Sequence, residues 1–460
     1  MYYVSSIMYQ VLKRTLVADT VKFVGKEIKI NGWVRTRRDH GKLIFLDIRD
    51  RSGVMQVVVN PKVSKDAYET AQTLRPEFAV EVLGKVNKRP EGTINKDLPT
   101  GEIEIEASNI TVLSKAQTLP FDMGGEDLKL ELPTLLDHRS LTLRHPKIET
   151  IFKVQAEVLE GFRKAAETLG CTEIVTPTIV ASATEGGAEL FEVEYYDHKA
   201  YLSQSPQLYK QMMVPVFERV WTISHAYRAE PSVTTRHLSE TTQLDCEFGF
   251  VTFEELLDLL ERVAVEMLRH VEDTCSYVER NEYGKIPRLT LREAQEIIYK
   301  EFGRDNRREK DLNPQDEIDI CNYAQDKYKS DLVTITHFPS KAKPFYIMPD
   351  PKNPEYSLSY DLLFRGVEIL SGGQRVHDYG ELTKAIKDRG MKPKNFQMYL
   401  MAFRYGMPPE GGFSFGLERI TMKLLGLSNI REASLFPRDM ERVDERLNTN
   451  DKNKKTIQKK

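Results

Sequence analysis

Along the first hundred or so residues, apolar and polar positions alternate in short runs. KEIKINGWV, KLIFLDIRD, VMQVVVN and FAVEVLGKV alternate or are β-branched, Gly, Asn and Pro punctuate them, and GEIEIEASNITVL continues the pattern. Alternation at period two is what a half-buried strand requires. Five strands follow, with a small helix from SKDAYETAQTL between the third and the fourth. This order suggests an OB-type Greek-key barrel, although an SH3-like or other small barrel satisfies the same strand count.

The rhythm then changes. Residues 116–145 hold prolines, glycines and short apolar pieces without a sustained period, which predicts a hinge. Next, KIETIFKVQAEVLEGFRKAAETLG is apolar at helical spacing and closes on Gly170, a suitable C-terminal cap. A strand ending at a proline, EIVTPTI, follows, and helices such as FEELLDLLERVAVEMLRHVEDTC then mix with strands that cluster late in the chain. The expected class is α+β: a barrel over 1–115, the hinge, and a large domain over 146–440 with an antiparallel sheet flanked by helices. Residues 441–460 lack apolar periodicity and end rich in lysine, as a solvated tail does.

Composition narrows the class. A chain of 460 residues, 40% hydrophobic and 29% charged, has enough apolar surface for two or three folded domains. Its 66 Lys and Arg against 69 Asp and Glu give a net charge of −3, which excludes binding nucleic acid through net charge alone. The first sixty residues nevertheless carry eleven Lys and Arg against five Asp and Glu, so the N-terminal module is basic. Four cysteines without CxxC or metal-ligand spacing indicate neither a disulfide scaffold nor a zinc module. No apolar run approaches the ~18 to 20 residues of a membrane span. The start, MYYVSSIMYQVLKRT, lacks the pattern of a cleaved signal, and Met8 is as suitable an initiator as Met1. A cytoplasmic protein is expected.

Four segments carry candidate chemistry. In AYRAEPSVTTRHLSETTQLDCEFGF, a strand with Arg228 and Glu230 on one face would lead through a loop with Arg236 and His237 into a second strand. Two guanidinium forks suit phosphoryl oxygens. A surface hairpin whose Arg228 and Glu230 pair with each other or with solvent has the same charge pattern. GGFSFGLERITMKLLGL runs from a glycine-rich strand into a helix, where Gly411, Gly412 and Gly416 would admit a flat ligand beside Arg419. Its spacing is neither a Rossmann nor a Walker pattern. SYDLLFRGVEILSGGQRVH spaces Asp361, Glu368, Ser371 and Arg375 for one concave sheet face, where carboxylates would hold Mg²⁺ against phosphates, or simply form ordinary ion pairs at a strand edge. LSQSPQLYKQMM adds Gln207 and Lys210.

Taken together, these segments resemble the class II aminoacyl-tRNA synthetases, and among them the aspartyl-tRNA synthetases, from about Ile28 to Arg438. YRAE with RHL is similar to their motif 2 and GLER to motif 3, while the helix and strand ending at Pro177 are similar to the dimer-forming motif 1. QSPQLYKQ, TEGGAELF and SGGQR strengthen the likeness. The resemblance implies that Arg228, Glu230 and Arg419 carry catalysis. ATP would be held by Arg228, Ala229, Glu230, Arg236, His237, Leu238, Glu368, Gly416, Leu417, Glu418 and Arg419. Mg²⁺ would be held by Glu368, Ser371 and Asp361. L-aspartate would meet Glu185, Gln207, Lys210, Arg228, Ser371 and Arg375, with Lys210 and Arg375 facing its side chain. Two cations there favour a carboxylate over a carboxamide.

The N-terminal module is similar to the anticodon-binding barrel of bacterial members, with Arg38, Phe45, Gln56 and Glu104 at base-contact positions. There an aromatic ring stacks a base and polar groups read its edge. Phe45 lies in an apolar strand, so core packing is its other role. The catalytic half resembles the compact archaeal and eukaryotic type, which includes enzymes that charge both tRNA(Asp) and tRNA(Asn). The resemblance therefore implies an ATP-dependent ligase that activates aspartate and transfers it to tRNA(Asp), with tRNA(Asn) as a further candidate, acting as a homodimer off the membrane. The alternatives are an asparaginyl-tRNA synthetase, a synthetase-like ligase that makes asparagine, and a non-catalytic tRNA-binding paralogue.

Overall fold

The computed structural model describes residues 12–181, 189–231 and 234–447. They fall into two compact units, divided between Lys129 and Leu130.

In the first unit β1 (Glu27–His40), β2 (Leu43–Asp50), β3 (Gly53–Val59), β4 (Ala79–Lys88) and β5 (Ile103–Ser114) close into a barrel in the order β1-β2-β3-β5-β4. The alternation read from the sequence is the cause. On β2 the side chains of Ile44, Leu46 and Ile48 are buried, while Phe45, Asp47 and Arg49 on the opposite face are only half-buried. Gly32 permits closure, because a Cβ there would lie 2.3 Å from the Arg49 carbonyl oxygen. Helix α1 (Lys65–Thr73) is capped by Ser64, whose Oγ accepts from Ala67 N.

The second unit begins with α2 (Leu132–Asp137) and α3 (Arg139–Thr142), inside the stretch expected to be a hinge. Their periodicity is too short to read, but packing holds them: Arg139 is buried and donates to the carbonyls of Leu435, Glu432 and Ser434. Next come α4 (Pro146–Thr168), β6 (Thr172–Glu173), β7 (Ile179–Val180), β8 (Glu192–Tyr195) and β9 (His198–Leu202). Gly170 follows α4 at φ +75°, the left-handed conformation that ends a helix. The strand expected to reach Pro177 stops at Glu173. The chain continues through α5 (Gln207–Phe217), β10 (Arg219–Tyr227), β11 (Glu240–Gly249), α6 (Phe253–Thr274), β12 (Arg288–Thr290), α7 (Leu291–Phe302) and α8 (Pro314–Tyr328). It finishes with β13 (Leu332–Thr336), β14 (Ser359–Phe364), β15 (Val367–Gln374), α9 (Tyr379–Asp388), α10 (Gln397–Arg404), β16 (Glu410–Gly416) and α11 (Leu417–Leu424).

Eight of these strands form one sheet in the order β12-β13-β14-β15-β16-β11-β10-β6, antiparallel except for the pairs at its two edges. Leu244, Cys246, Phe248, Phe413 and Phe415 pack with Val154 and Phe162 of α4 and Leu256 and Leu260 of α6. Because strand side chains alternate, Gln243, Asp245, Glu247, Gly412 and Ser414 point to the other side. Among the described residues no helix is long and apolar enough to cross a membrane. The stretch expected to be a tail begins within the fold, since Arg442 is buried and paired with Asp137; residues 448–460 lie outside those described.

Candidate active site

The sheet face opposite α4 and α6 floors an open cavity of about 260 Å³. Register places Asp245, Ser414, Ser371 and Asp361 in one row across β11, β16, β15 and β14. The expected strand carrying Arg228 and Glu230 ends earlier, at Tyr227. Pro231 follows closely and has no N–H for a ladder, so Arg228 to Glu230 run as a loop. Arg228 N donates to Ser239 O and Ala229 N to Glu189 O. The far side of the loop is pinned by Ile430 N to Thr235 O and by Arg431 Nη1 to Thr234 O.

One end of the cavity is cationic. Arg228, Arg236 and Arg419 line it with Glu230, His237 and Leu238. His237 Nε2 is 3.9 Å from Glu230. Burial, together with the three arginines and against the pull of Glu230, holds His237 below its ordinary 6.5, so it adds no charge at neutral pH. Arg419 donates to the Glu368 carbonyl at 2.9 Å and lies 3.5 Å from the Glu368 carboxylate. Arg236 is 2.7 Å from Glu317. Burial lifts Glu317 to about 7 against Arg236, yet its Oε2 accepts from the guanidinium whether or not the other oxygen holds a proton.

The inner end is a buried ionic cluster. Arg375 donates through Nε to Glu247 at 2.8 Å and through Nη2 to Gln207 Oε1 and Gly412 O, bonds that do not use Nη1. Lys210 Nζ contacts Asp245 Oδ1 at 2.9 Å, Glu247 Oε2 at 3.1 Å and Phe413 O at 3.2 Å. Burial disfavours its charge, but these two carboxylates outweigh burial and raise the ammonium above its ordinary value. Glu410 is buried beside Glu247, and its carboxyl is pushed well above the usual range by burial and by that neighbour. Gln211 Nε2 donates to Glu410 Oε1 at 2.6 Å. Gly412 makes the cluster possible, because a Cβ there would sit 2.3 Å from Glu247 Oε2.

Most expected site residues converge here. Gln207, Arg228, Glu230, Arg236, His237, Leu238, Glu368, Ser371, Arg375, Gly416, Glu418 and Arg419 all line the cavity. Four do not. Lys210 stands behind Asp245 and Glu247 with its donors engaged. Leu417 belongs to the core and Ala229 contributes backbone to the loop. Asp361 is held by Lys343 Nζ at 3.0 Å. Glu185 lies outside the described residues. Of the three glycines expected to admit a ligand, Gly411 and Gly412 are required by internal packing, whereas Gly416 leaves room beside Arg419.

Sequence reasoning missed Asp245 and Lys343, which also line the cavity. The period-two spacing of Gln243, Asp245 and Glu247 was a signal for the first. Lys343 is delivered by a loop and had none. Among the described residues no cluster of three His, Cys, Asp or Glu side chains could hold a metal. Glu368 and Ser371 do present oxygen donors to the cavity, which suits Mg²⁺ when phosphates complete its shell.

Residues 131–440 match the tRNA synthetases class II (D, K and N), and residues 28–113 match the OB-fold nucleic acid binding domain. The chain belongs to that class II synthetase family. An aspartate–tRNA(Asp) ligase of Pyrococcus horikoshii is 40% identical over 92% of this synthetase and 97% of the relative. An aspartate–tRNA(Asp/Asn) ligase of Thermus thermophilus is 42% identical over 94% and 99%. Among solved structures, asparaginyl-tRNA synthetase of Pyrococcus horikoshii with asparaginyl-adenylate superposes with a TM-score of 0.85, at 30% identity over 94% of this chain and 99% of that one. Aspartyl tRNA synthetase of Entamoeba histolytica gives 0.81, at 29% identity over 96% and 95%.

On the barrel of the synthetase, Arg38 faces Phe45 across β1 and β2, and Gln56 Nε2 donates to Glu104 at 3.0 Å. Arg38 also reaches Asp47, which is opposite Gln56 in register, so the four expected base-contact positions share one outer patch. Phe45 sits on that face with its ring edge against His40, and the barrel core is built without it.

Proposed function

We propose that this synthetase is an aspartate–tRNA ligase acting in two steps. The α-carboxylate of L-aspartate attacks the α-phosphorus of ATP, giving aspartyl-adenylate and pyrophosphate. The terminal adenosine hydroxyl of tRNA then attacks the mixed anhydride and releases AMP. Arg228, Arg236 and Arg419 meet the phosphates, and Arg228 stabilises the charge that develops at phosphorus. No protein nucleophile is needed, because positioning and electrostatics supply the rate. Glu368 and Ser371 would hold Mg²⁺, which supplies charge neutralisation at phosphate oxygens.

The observation that carries the amino-acid reading is the inner cluster. The cations Lys210 and Arg375 offset the carboxylates of Asp245 and Glu247, so these paired charges leave the pocket receptive to a substrate carboxylate. Arg375 lines the space and gives that carboxylate a guanidinium, from which a neutral carboxamide gains less. The names of the 40% and 42% identical relatives support the same amino acid.

The barrel would bind the anticodon through Arg38, Phe45, Gln56 and Glu104. A homodimer is part of the proposal, on the likeness of α4 and the segment ending at Pro177 to the dimer-forming motif 1; Val175 in that segment is 96% exposed in the single chain. So is residence in the cytoplasm. The test is aminoacylation of purified tRNA(Asp) and tRNA(Asn) with labelled aspartate. Charging of tRNA(Asp) is expected, charging of tRNA(Asn) would add the second substrate, and charging of neither would overturn the reading.

A further inference from the structure

Helix α8 belongs to none of the segments whose sequence suggested chemistry, yet it reaches the cationic end of the cavity. Its first turn is fixed by Asn313, whose side chain accepts from Gln315 N and Asp316 N, with Asp316 closing a capping box. Glu317 follows in that rigid turn, and its Oε2 accepts from Arg236 Nη1 at 2.7 Å. Arg236 Nη2 donates at 3.3 Å to the carbonyl of Gly366, in the turn between β14 and β15. That turn is packed on the same helix, because Gly366 has φ +81° and a Cβ on it would lie 2.8 Å from the Ile318 side chain. The carboxylate and the carbonyl are thus presented as one unit by two elements in contact. They occupy two of the five donors of Arg236, a residue that lines the cavity while Glu317 does not.

We propose that Glu317 is a positioning residue for the triphosphate: it holds the Arg236 guanidinium in place before the nucleotide arrives. This rests on the reading of the cavity as an ATP site. An arginine on a loop must otherwise be ordered when it binds, and that ordering weakens affinity. With Glu317 and Gly366 holding two edges, the remaining donors meet a phosphoryl group without that cost. The influence of Glu317 therefore runs through Arg236 and falls on ATP alone.

The test is pyrophosphate exchange with ATP and aspartate varied separately. Glu317→Ala is expected to raise KM for ATP about tenfold, the scale of one lost ordering contact, with kcat and KM for aspartate changed less than about twofold. Glu317→Gln keeps an oxygen acceptor and the shape of the side chain, so an intermediate rise of about threefold is expected with little change in melting temperature. Glu317→Ala combined with Arg236→Ala should equal Arg236→Ala alone, because the two act as one unit. An unchanged KM for ATP in Glu317→Ala, a parallel rise in KM for aspartate, or additive effects in the double variant would each overturn the proposal. If the unmutated protein shows no aspartate-dependent exchange, the ligase reading fails by itself. Equilibrium dialysis of ATP against the same proteins then decides: about tenfold weaker binding to Glu317→Ala supports the role of Glu317, and equal binding overturns it.

Discussion

Lys343 Nζ lies 3.0 Å from Asp361 Oδ2, and the pair closes the β14 end of the row that runs from Asp245 through Ser414 and Ser371. Burial already pushes Asp361 up to about 6 with Lys343 in place. Lys343→Met would leave a buried carboxylate unpaired, which typically costs about 3 kcal/mol. Adding Asp361→Asn removes the orphaned charge and should restore most of that loss. Denaturant melts of the single and double variants check this, and equal destabilisation by both would show that the pair is not what stabilises this edge.

Glu418 gives the unit a calculable pH dependence. Its carboxylate accepts from Thr242 N, and burial raises it from 4.5 to about 7. A raised carboxyl binds its proton more tightly in the folded state, so its contribution to stability is fully present below about 4.5 and is lost as pH rises through about 7. The full difference is about 3 kcal/mol. Glu418→Gln cannot titrate. Its stability relative to the unmutated protein should climb between pH 4.5 and 7 and level off above, whereas a pH-independent difference would show that Glu418 is not the titrating group.

Phe45 lies outside the barrel core, so its truncation separates the proposed anticodon contact from folding. Phe45→Ala should leave the melting temperature nearly unchanged and weaken tRNA charging by about 1 to 3 kcal/mol, the worth of one stacked base. Gln56→Ala, which breaks the bond to Glu104, should weaken charging in the same direction. Pyrophosphate exchange without tRNA should not respond to either. Normal charging by both variants would remove this patch from anticodon binding.

Arg228→Ala deletes a cation of the cavity that the proposed reaction sets against the charge developing at phosphorus. A loss of about a hundredfold in exchange rate, about 3 kcal/mol, is expected from such a deletion. An unchanged rate in a folded variant would take Arg228 out of the chemistry.

Much of this arrangement was legible in the sequence where one element sufficed to express it. The barrel strands alternate because each has one buried face, and α4 ends where Gly170 can turn left-handed. Features that depend on contacts between distant segments were not legible. Helices α2 and α3 are too short for a period to appear and depend on Arg139 reaching residues 432–435. Period two placed Arg228 and Glu230 on one face but could not say that their strand stops at Tyr227. Lys210 reads as a cation for a substrate, and only the packed sheet shows that Asp245 and Glu247 already surround it. Lys343 and Glu317 reach the site through a loop and a helix with no local signal, joined to it only by the tertiary fold.

The most direct test of the proposed ligase activity is exchange of labelled pyrophosphate into ATP by the purified protein, without tRNA, with aspartate or asparagine as the amino acid. Every residue placed near the nucleotide and the amino acid belongs to the second unit, so exchange should proceed without tRNA. Exchange with aspartate, and little or none with asparagine, is the expected result. Exchange supported by asparagine and not by aspartate would contradict the reading of Arg375 and its cluster as a carboxylate pocket.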